Sequence, residues 1–429
     1  MSDLAIELHD VGLVLLPSEQ AATEGEVDPD PGVALLDGER LHVGRTAEAR
    51  ARLRPKQTHR HFWHAPSTAP LSATFPDGWA VADLAHAHLE ALWTSASTGV
   101  DRVVVAAPGV WTAEELGLAL GIARALDMPV AGVVDSALAA LVGALHGTDL
   151  TTTPRVVHLD VYQHRAVATH LEYREGAWCR TRVDSIDTVG RTSLLDRWAR
   201  AVNAAFVRAS RFEPFHAPET EQDLYDRLPG WLAAFDEHGV IEVALDASSG
   251  PVHVELDRAA MLDPVGDAYR ELDALVPSRP GATVLLSANA AALPGFTDRV
   301  RRAGHDVRRL APDAAARGAL VAADALTQDD GALRFVLRLD AGPPTSPLVE
   351  PESAVEPESA PEPLRLSVEG RGDRWIVTAI DGVVRRGDQL LAAGTALQAG
   401  DRLVLPTGLA LRVEPDASED GPPEDADGA

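Results

Sequence analysis

The chain has 429 residues, a formal net charge of −27 and a single cysteine, Cys179. The charge argues against nucleic acid as a partner, because neutralising phosphates needs basic surface, and one cysteine excludes a disulfide framework or a cysteine-based zinc site. The N-terminus lacks the basic and apolar regions of a signal peptide, and the sequence has no apolar run long enough for a membrane span. We therefore expect a cytoplasmic protein with no membrane partner.

Strand and helix signals alternate along the first 150 residues. A strand is predicted near Ala5, and residues 103–107 (VVVAA) form an apolar run of the length of a buried strand. Thr112 is a predicted N-cap with a glutamate in capping-box spacing, and a strand at 129–134 leads into an Ala-rich helix after Asp135. This order predicts a buried sheet covered by helices, with Asp135 at a strand end where α/β proteins hold ligands.

A second set of strand and helix signals follows between residues 151 and 335. The predicted elements are strands beginning near Val156 and Val284, helices over 194–207 and 219–235, and a hairpin formed by 241–244 and 252–256. Together with the first set, these signals predict an α/β fold with more than one sheet.

The composition changes after the second set of elements. Residues 342–363 are rich in Pro and Glu, ending in LVEPESAVEPESAPEP from residue 348, which predicts an extended linker. Residues 364–413 alternate short strand signals with glycine turns, which predicts a small all-β module, a sandwich or barrel, that contacts a partner. The acidic residues 414–429 predict a disordered tail.

Three stretches of the sequence read as motifs: 36–47 (LDGERLHVGRTA), 134–141 (VDSALAAL) and 312–319 (PDAAARGA). They resemble, in the same order, the G-E-R-L-V-G-x-x-A hairpin, the N-E-P-T-A-A-A-L turn and the P-D-E-A-V-A-x-G-A helix of the seventy-kilodalton heat-shock (DnaK-type) chaperones. These chaperones belong to the actin-like ATPase superfamily. The resemblance covers roughly residues 4–327.

The resemblance implies a two-lobed actin-like ATPase fold of the ribonuclease H-like α/β type. Lobe I covers about residues 1–150 and lobe II about 151–335, with a cleft between them, and the all-β module follows the linker. In this superfamily the cleft holds ATP or ADP with Mg²⁺ against two glycine-rich hairpins. Glycine is needed there because it lets backbone N–H groups approach the phosphates closely.

The corresponding hairpins of this chain have lost those glycines. The first, expected as D-L-G-T-T, is ELHDV from Glu7, and the second, expected as D-L-G-G-G-T, is DVYQHR from Asp160. The chaperones' phosphate-contacting lysine is also missing, since Lys56 is the single lysine of the chain and Arg60 in the matching segment is not an equivalent donor. The sequence therefore predicts that ATP hydrolysis is absent or vestigial.

The resemblance also implies a set of candidate site residues around one cleft. Glu7 and Asp160 would hold Mg²⁺ through water, because Mg²⁺ keeps most of its hydration shell and needs few carboxylates. Asp135 would be the catalytic candidate, orienting an attacking water. The candidate nucleotide contacts are Glu7, Asp10, Asp160, His164 and Asn289.

Two functions remain open. The first is a degenerate nucleotide-binding scaffold or regulatory subunit of a protein complex, a pseudoenzyme that uses the linker and the β module to dock a protein partner. The second is an active, chaperone-like ATPase that binds and hydrolyses ATP with a phosphate cradle rebuilt from side chains such as His9, Gln163, His164 and Asn289.

Overall fold

The computed structural model describes residues 2–21, 27–146, 153–327 and 332–344, together with seven strands between residues 366 and 412. The chain divides into two compact units, Met1–Leu348 and Val349–Ala429. This division falls within the predicted linker of 342–363. Residues 345–363 of that linker, and the whole predicted tail of 414–429, lie outside the described residues.

The first half of the first unit forms one large sheet and one small sheet. Its strands are β1 (Asp3–Glu7), β2 (Gly12–Pro17), β3 (Asp30–Pro31), β4 (Ala34–Asp37), β5 (Arg40–Val43), β6 (Thr58–His59), β7 (Arg102–Ala107) and β8 (Val130–Asp135). Its helices are α1 (Ser18–Ala21), α2 (Gly44–Glu48), α3 (Val81–Ala96), α4 (Ala113–Ala125) and α5 (Ser136–Leu145), with a 3₁₀ helix at Pro55–Gln57. The predicted capping box is confirmed, because Thr112 Oγ1 accepts the N–H of Glu115 at 3.2 Å at the start of α4.

The second half of the unit forms another large sheet and a separate hairpin. Its strands are β9 (Arg155–Val161), β10 (Ala166–Arg174), β11 (Ala177–Ile186), β12 (Ile241–Ala247), β13 (Gly250–Leu256), β14 (Thr283–Leu286), β15 (Asp306–Arg309), β16 (Phe335–Val336) and β17 (Arg338–Leu339). Its helices are α6 (Arg191–Ser210), α7 (Pro218–His238), α8 (Arg258–Leu262), α9 (Gly266–Asp273), α10 (Ala288–Ala291), α11 (Phe296–Arg302), α12 (Ala314–Val321) and α13 (Ala323–Leu326), with 3₁₀ helices at Pro214–His216 and Asp263–Val265. The predicted hairpin and the two predicted long helices are confirmed as β12–β13, α6 and α7.

The two large sheets share the order of five of their six strands. The first sheet runs β16-β8-β7-β1-β2-β3 and the second β15-β14-β9-β10-β11-β17. In each sheet the strand that comes first in the chain, β1 or β9, begins an antiparallel meander. The next two strands, β7 and β8 or β14 and β15, run parallel to it on its other side. The last strand lies at opposite edges, because β16 pairs parallel with β8 in the first sheet and β17 pairs antiparallel with β11 in the second. The strands predicted near Ala5, over 103–107, and near Val156 and Val284 are β1, β7, β9 and β14, and they lie in the interior of two separate sheets.

One core cluster joins both large sheets through α5 and α12. It contains Val104 of the first sheet and Leu285 of the second, together with the apolar faces of the two helices. The helices touch backbone to backbone, because a Cβ atom on Gly318 would lie 1.7 Å from the carbonyl oxygen of Ala139. Gly318 is therefore required for this helix contact.

The second unit is described through strands alone: β18 (Leu366–Arg371), β19 (Arg374–Ile380), β20 (Arg385–Arg386), β21 (Gln389–Leu390), β22 (Ala396–Gln398), β23 (Arg402–Val404) and β24 (Ala410–Arg412). They pair antiparallel in two sheets, β18-β19-β22 and β21-β20-β23-β24. These strands lie within the predicted range 364–413, and the compact all-β interaction module stays a prediction.

The mixed sheets and their covering helices confirm an α/β fold. None of the helices in the described part of the chain combines the length and the apolar character needed to cross a bilayer.

Candidate functional site

The candidate site lies where the first strands of the two large sheets end. His9 follows β1 and Tyr162 follows β9, and their rings stack with centroids 4.0 Å apart. Nε2 of His9 lies 3.0 Å from Oδ2 of Asp160, near the end of β9. The N–H of Gln163 donates to Oδ1 of Asp10 at 2.7 Å. Side chains therefore join the two turns directly.

His9 is surrounded by carboxyl groups. Burial alone would lower the pKa of its imidazole, but Asp160, with help from Asp10 and Glu7, raises this pKa above its ordinary value. The N–H of Val11 donates to Nδ1 at 3.1 Å, so the neutral ring carries its proton on Nε2, facing Asp160. A second proton on Nδ1 would break the hydrogen bond from the Val11 N–H. This cost limits the rise in the pKa of His9. The Nε2 proton faces Asp160 in either charge state.

Both carboxylate oxygens of Asp160 have side-chain partners. Oδ2 contacts His9, and Oδ1 accepts the hydroxyl of Ser287. The Oγ of Ser287 also accepts the N–H of Ala290 at 3.1 Å and caps α10. Burial alone would raise the pKa of Asp160, but the charge and hydrogen bond of His9, the charge of His158 and the Ser287 hydroxyl hold it below its usual range. Asp160 is therefore an anion that internal donors already satisfy.

Glu7 lies beside this pair on a cavity of about 150 Å³. Burial raises the pKa of Glu7 to about 7; His9 opposes this shift, whereas Asp160 and Asp313 add to it. Its Oε2 atom is buried and has no hydrogen-bond partner among the described residues, which fits a carboxyl group whose charge is disfavoured. The other polar residues that line this cavity are His9, Ser136, His158, Asp160, Ser287 and Asn289.

Asp10 and His164 belong to a second polar group. Oδ2 of Asp10 lies 3.0 Å from Nδ1 of His64, and the Arg165 guanidinium donates to the His64 carbonyl at 3.1 Å. The ring of His164 stacks on His61 with centroids 3.7 Å apart. Burial, with the charges of His61 and His64, lowers the pKa of His164 to about 4. His164, a predicted nucleotide contact, is therefore neutral near pH 7.

Asp135, the candidate for orienting water, is fully buried and has partners on both oxygens. Oδ1 accepts the N–H of Leu138 at 3.1 Å and caps α5, and Oδ2 accepts from the Arg180 guanidinium at 2.7 Å. The same guanidinium donates to the carbonyl of Gly109 at 3.2 Å. These contacts fix the start of α5 against β11, a structural role.

The structure brings three predicted site residues, Glu7, Asp160 and Asn289, onto one cavity. Asp10, His164 and Asp135 are held by the contacts described above. No group of three His, Cys, Asp or Glu side chains within the described ranges is arranged as a set of metal ligands.

Two partners in the site were not predicted: Arg180 for Asp135, and Ser287 for Asp160. They are separated from these carboxylates by 45 and 127 positions, and no local pattern marks such pairs. Comparisons with known proteins add no family assignment: no protein-family model and no curated protein matches the sequence.

Proposed function

We propose that this chain is a degenerate member of the actin-like ATPase superfamily, closest to the DnaK-type chaperones, which serves as a scaffold or regulatory subunit of a protein complex. The order of five strands that the two large sheets share supports two lobes of ribonuclease H-like type. The short strands β16 and β17 also support a two-lobed fold. They follow each other in residues 335–339, and each adds an edge strand to a different large sheet. The linker and the second unit are the parts proposed to dock a protein partner.

One observation carries the pseudoenzyme proposal: the two turns that should cradle phosphates contact each other instead. The His9 ring stacks on Tyr162, and the Gln163 N–H, which would face a phosphate in a working cradle, donates to Asp10 at 2.7 Å. The Tyr162 N–H donates to the Arg165 carbonyl at 2.8 Å. A phosphate cradle needs open backbone N–H groups and glycine-sized clearance. Here the N–H groups of Tyr162 and Gln163 are already engaged, and the stacked rings of His9 and Tyr162 occupy the clearance.

The expected Mg²⁺ ligands also fit that ion poorly. Mg²⁺ requires ionised oxygen ligands that remain accessible to it or to its water shell. Asp160 has His9 and Ser287 on its two oxygens, and burial raises the pKa of Glu7 to about 7. The imidazole of His9 lies against Asp160, where a working enzyme would need a metal-bound water.

A specific observation favours the alternative, an active ATPase with a rebuilt cradle. Glu7, Asp160 and Asn289 share one cavity of about 150 Å³, so three of the expected nucleotide contacts do converge. In this alternative, nucleotide would have to displace His9 from Asp160 before Mg²⁺ could approach.

Calorimetric titration of the full chain with Mg-ATP, with a parallel phosphate-release assay, separates the two functions. The proposal predicts no Mg²⁺-dependent binding and no turnover. Micromolar Mg-ATP affinity together with turnover that Asp160→Ala abolishes would overturn the proposal and establish the ATPase. Asp324→Ala, which removes a carboxylate whose side chain is 96% exposed, is the matched control.

A further inference from the structure

A second cavity, of about 180 Å³, shares Gln163 with the turn after β9. Three arginines line it: Arg52 after α2, Arg60 after β6 and Arg191 in the first turn of α6. We call it the arginine cavity. We infer that the arginine cavity binds a phosphate group, which Arg60 and Arg191 hold. This inference does not depend on whether the cleft binds nucleotide.

Two of the three arginines lack a close carboxylate. Arg52 is engaged, with Nη2 3.3 Å from Oδ1 of Asp196. Arg60 has a single carboxylate, Glu48, at 3.9 Å, and Arg191 forms no ion pair within 4 Å in the part of the chain that the structure describes. Burial lowers the pKa of both Arg60 and Arg191, because their charges have lost solvent without full compensation. Such guanidinium groups favour a bound anion.

Two neutral groups on the wall of the arginine cavity also lack partners. Oγ1 of Thr192 and Oε1 of Gln163 are buried without a hydrogen bond among the described residues, and Gln163 is only 5% exposed. Buried polar atoms are almost always hydrogen bonded, so two unpaired ones on one wall indicate a missing partner. The Thr192 hydroxyl donates to a phosphate oxygen, and the Gln163 amide does so after its O and N atoms exchange places.

Two acids, Glu48 and Asp226, also line the arginine cavity and restrict the anion that fits. Burial raises the pKa of Asp226, although the hydrogen bond from Gln222 opposes this. Three guanidinium groups and two carboxylates leave a formal charge of +1 in a chain whose net charge is −27. A phosphate group suits this lining better than a carboxylate, because its several oxygens can reach two guanidinium forks and a hydroxyl together.

The test is titration of the full-length protein with sodium phosphate at pH 7.5, at an ionic strength fixed with sodium chloride. Calorimetry and ³¹P NMR of the phosphate should both show saturable binding that does not require Mg²⁺. Arg191→Gln and Arg60→Gln should each weaken binding at least about tenfold, the loss typical of a charge-assisted hydrogen bond. The near-isosteric Thr192→Val should weaken it about threefold or more. Arg200→Gln, an exposed position on the same helix, should leave it unchanged.

Two further titrations, with glucose 6-phosphate and with acetate, identify the kind of anion that binds. If glucose 6-phosphate binds more tightly than inorganic phosphate, the arginine cavity takes an organic phosphate. If inorganic phosphate binds more tightly, the cavity takes the free ion. Both results support the inference. Equal responses to acetate and phosphate, no saturable phosphate binding, or equal losses in Arg191→Gln and Arg200→Gln overturn it. Where Arg191→Gln does not fold, Thr192→Val decides: unchanged phosphate binding in that variant also overturns the inference.

Discussion

Nε2 of His9 lies 3.0 Å from Oδ2 of Asp160, and this buried contact links the turn after the first strand of one large sheet to the first strand of the other. The two residues are 151 positions apart in the chain. In the fold we propose, this is the point at which the two lobes would face the phosphates of a nucleotide. The turns after β1 and β9 are instead held together by the protein's own groups.

The His9–Asp160 contact should behave as a coupled pair in stability measurements. His9→Gln and Asp160→Asn should each lower the free energy of unfolding by about 3 kcal/mol, because breaking a buried pair leaves one polar partner uncompensated. The double variant should lose less than the sum of the two, with a coupling energy of at least about 1 kcal/mol in urea denaturation. If the double variant loses as much free energy of unfolding as the two single variants together, the two side chains do not interact. His238→Gln, at an exposed histidine, is the control.

Glu7→Gln should stabilise the protein in a pH-dependent way. The pKa of Glu7 is raised from 4.5 to about 7 in the folded state, so the folded protein binds this proton more tightly than the unfolded chain. The free energy of unfolding therefore falls as pH rises between these two values, and the penalty is complete above about pH 7. Glutamine carries no such penalty.

The melting temperature of Glu7→Gln relative to the parent should therefore increase from pH 4 to pH 8. At pH 8 the variant's free energy of unfolding should exceed that of the parent by about 1–3 kcal/mol. Differential scanning fluorimetry across this range measures it. Glu90→Gln, at an exposed helix position, should show no such trend. A constant difference between Glu7→Gln and the parent at all pH values would contradict the raised pKa.

Gly318→Ala should destabilise the first unit. The added Cβ would lie 1.7 Å from the Ala139 carbonyl oxygen, so α5 and α12 must separate, at a cost of about 1–3 kcal/mol for overpacking. Gly117 is the matched control, since it lies in helix α4 with open space around a new Cβ. Gly117→Ala should be stabilising by about 0.5–1 kcal/mol. Stabilisation by both substitutions in thermal melts would mean that the two helices do not touch.

Asp135→Ala should cost more stability than Asp135→Asn. Alanine removes the cap on the Leu138 N–H and the partner of Arg180, whereas asparagine keeps the cap and loses the charge. The two variants should differ by about 1 kcal/mol, the usual contribution of an N-cap. Chemical denaturation measures the difference, and equal effects of the two substitutions would rule out the capping role.

Much of the local structure could be predicted from the sequence because short-range signals set it. Thr112 and its glutamate partner mark the start of α4, the apolar run 103–107 lies within β7, and helical periodicity locates α6 and α7. Residues 345–363 and 414–429 are outside the described residues, so the linker and tail stay predictions from composition.

The candidate site shows the limit of such reasoning. From the sequence alone, Glu7 and Asp160 are predicted at the ends of buried strands, with bulky residues in the turns that follow, because strand signals and residue size are local properties. Three relationships appear only in the folded chain: His9 contacts Asp160, Arg180 pairs with Asp135, and Arg60 and Arg191 line one cavity. Those pairings depend on how two sheets face each other, and burial then sets the protonation of Glu7 and His164.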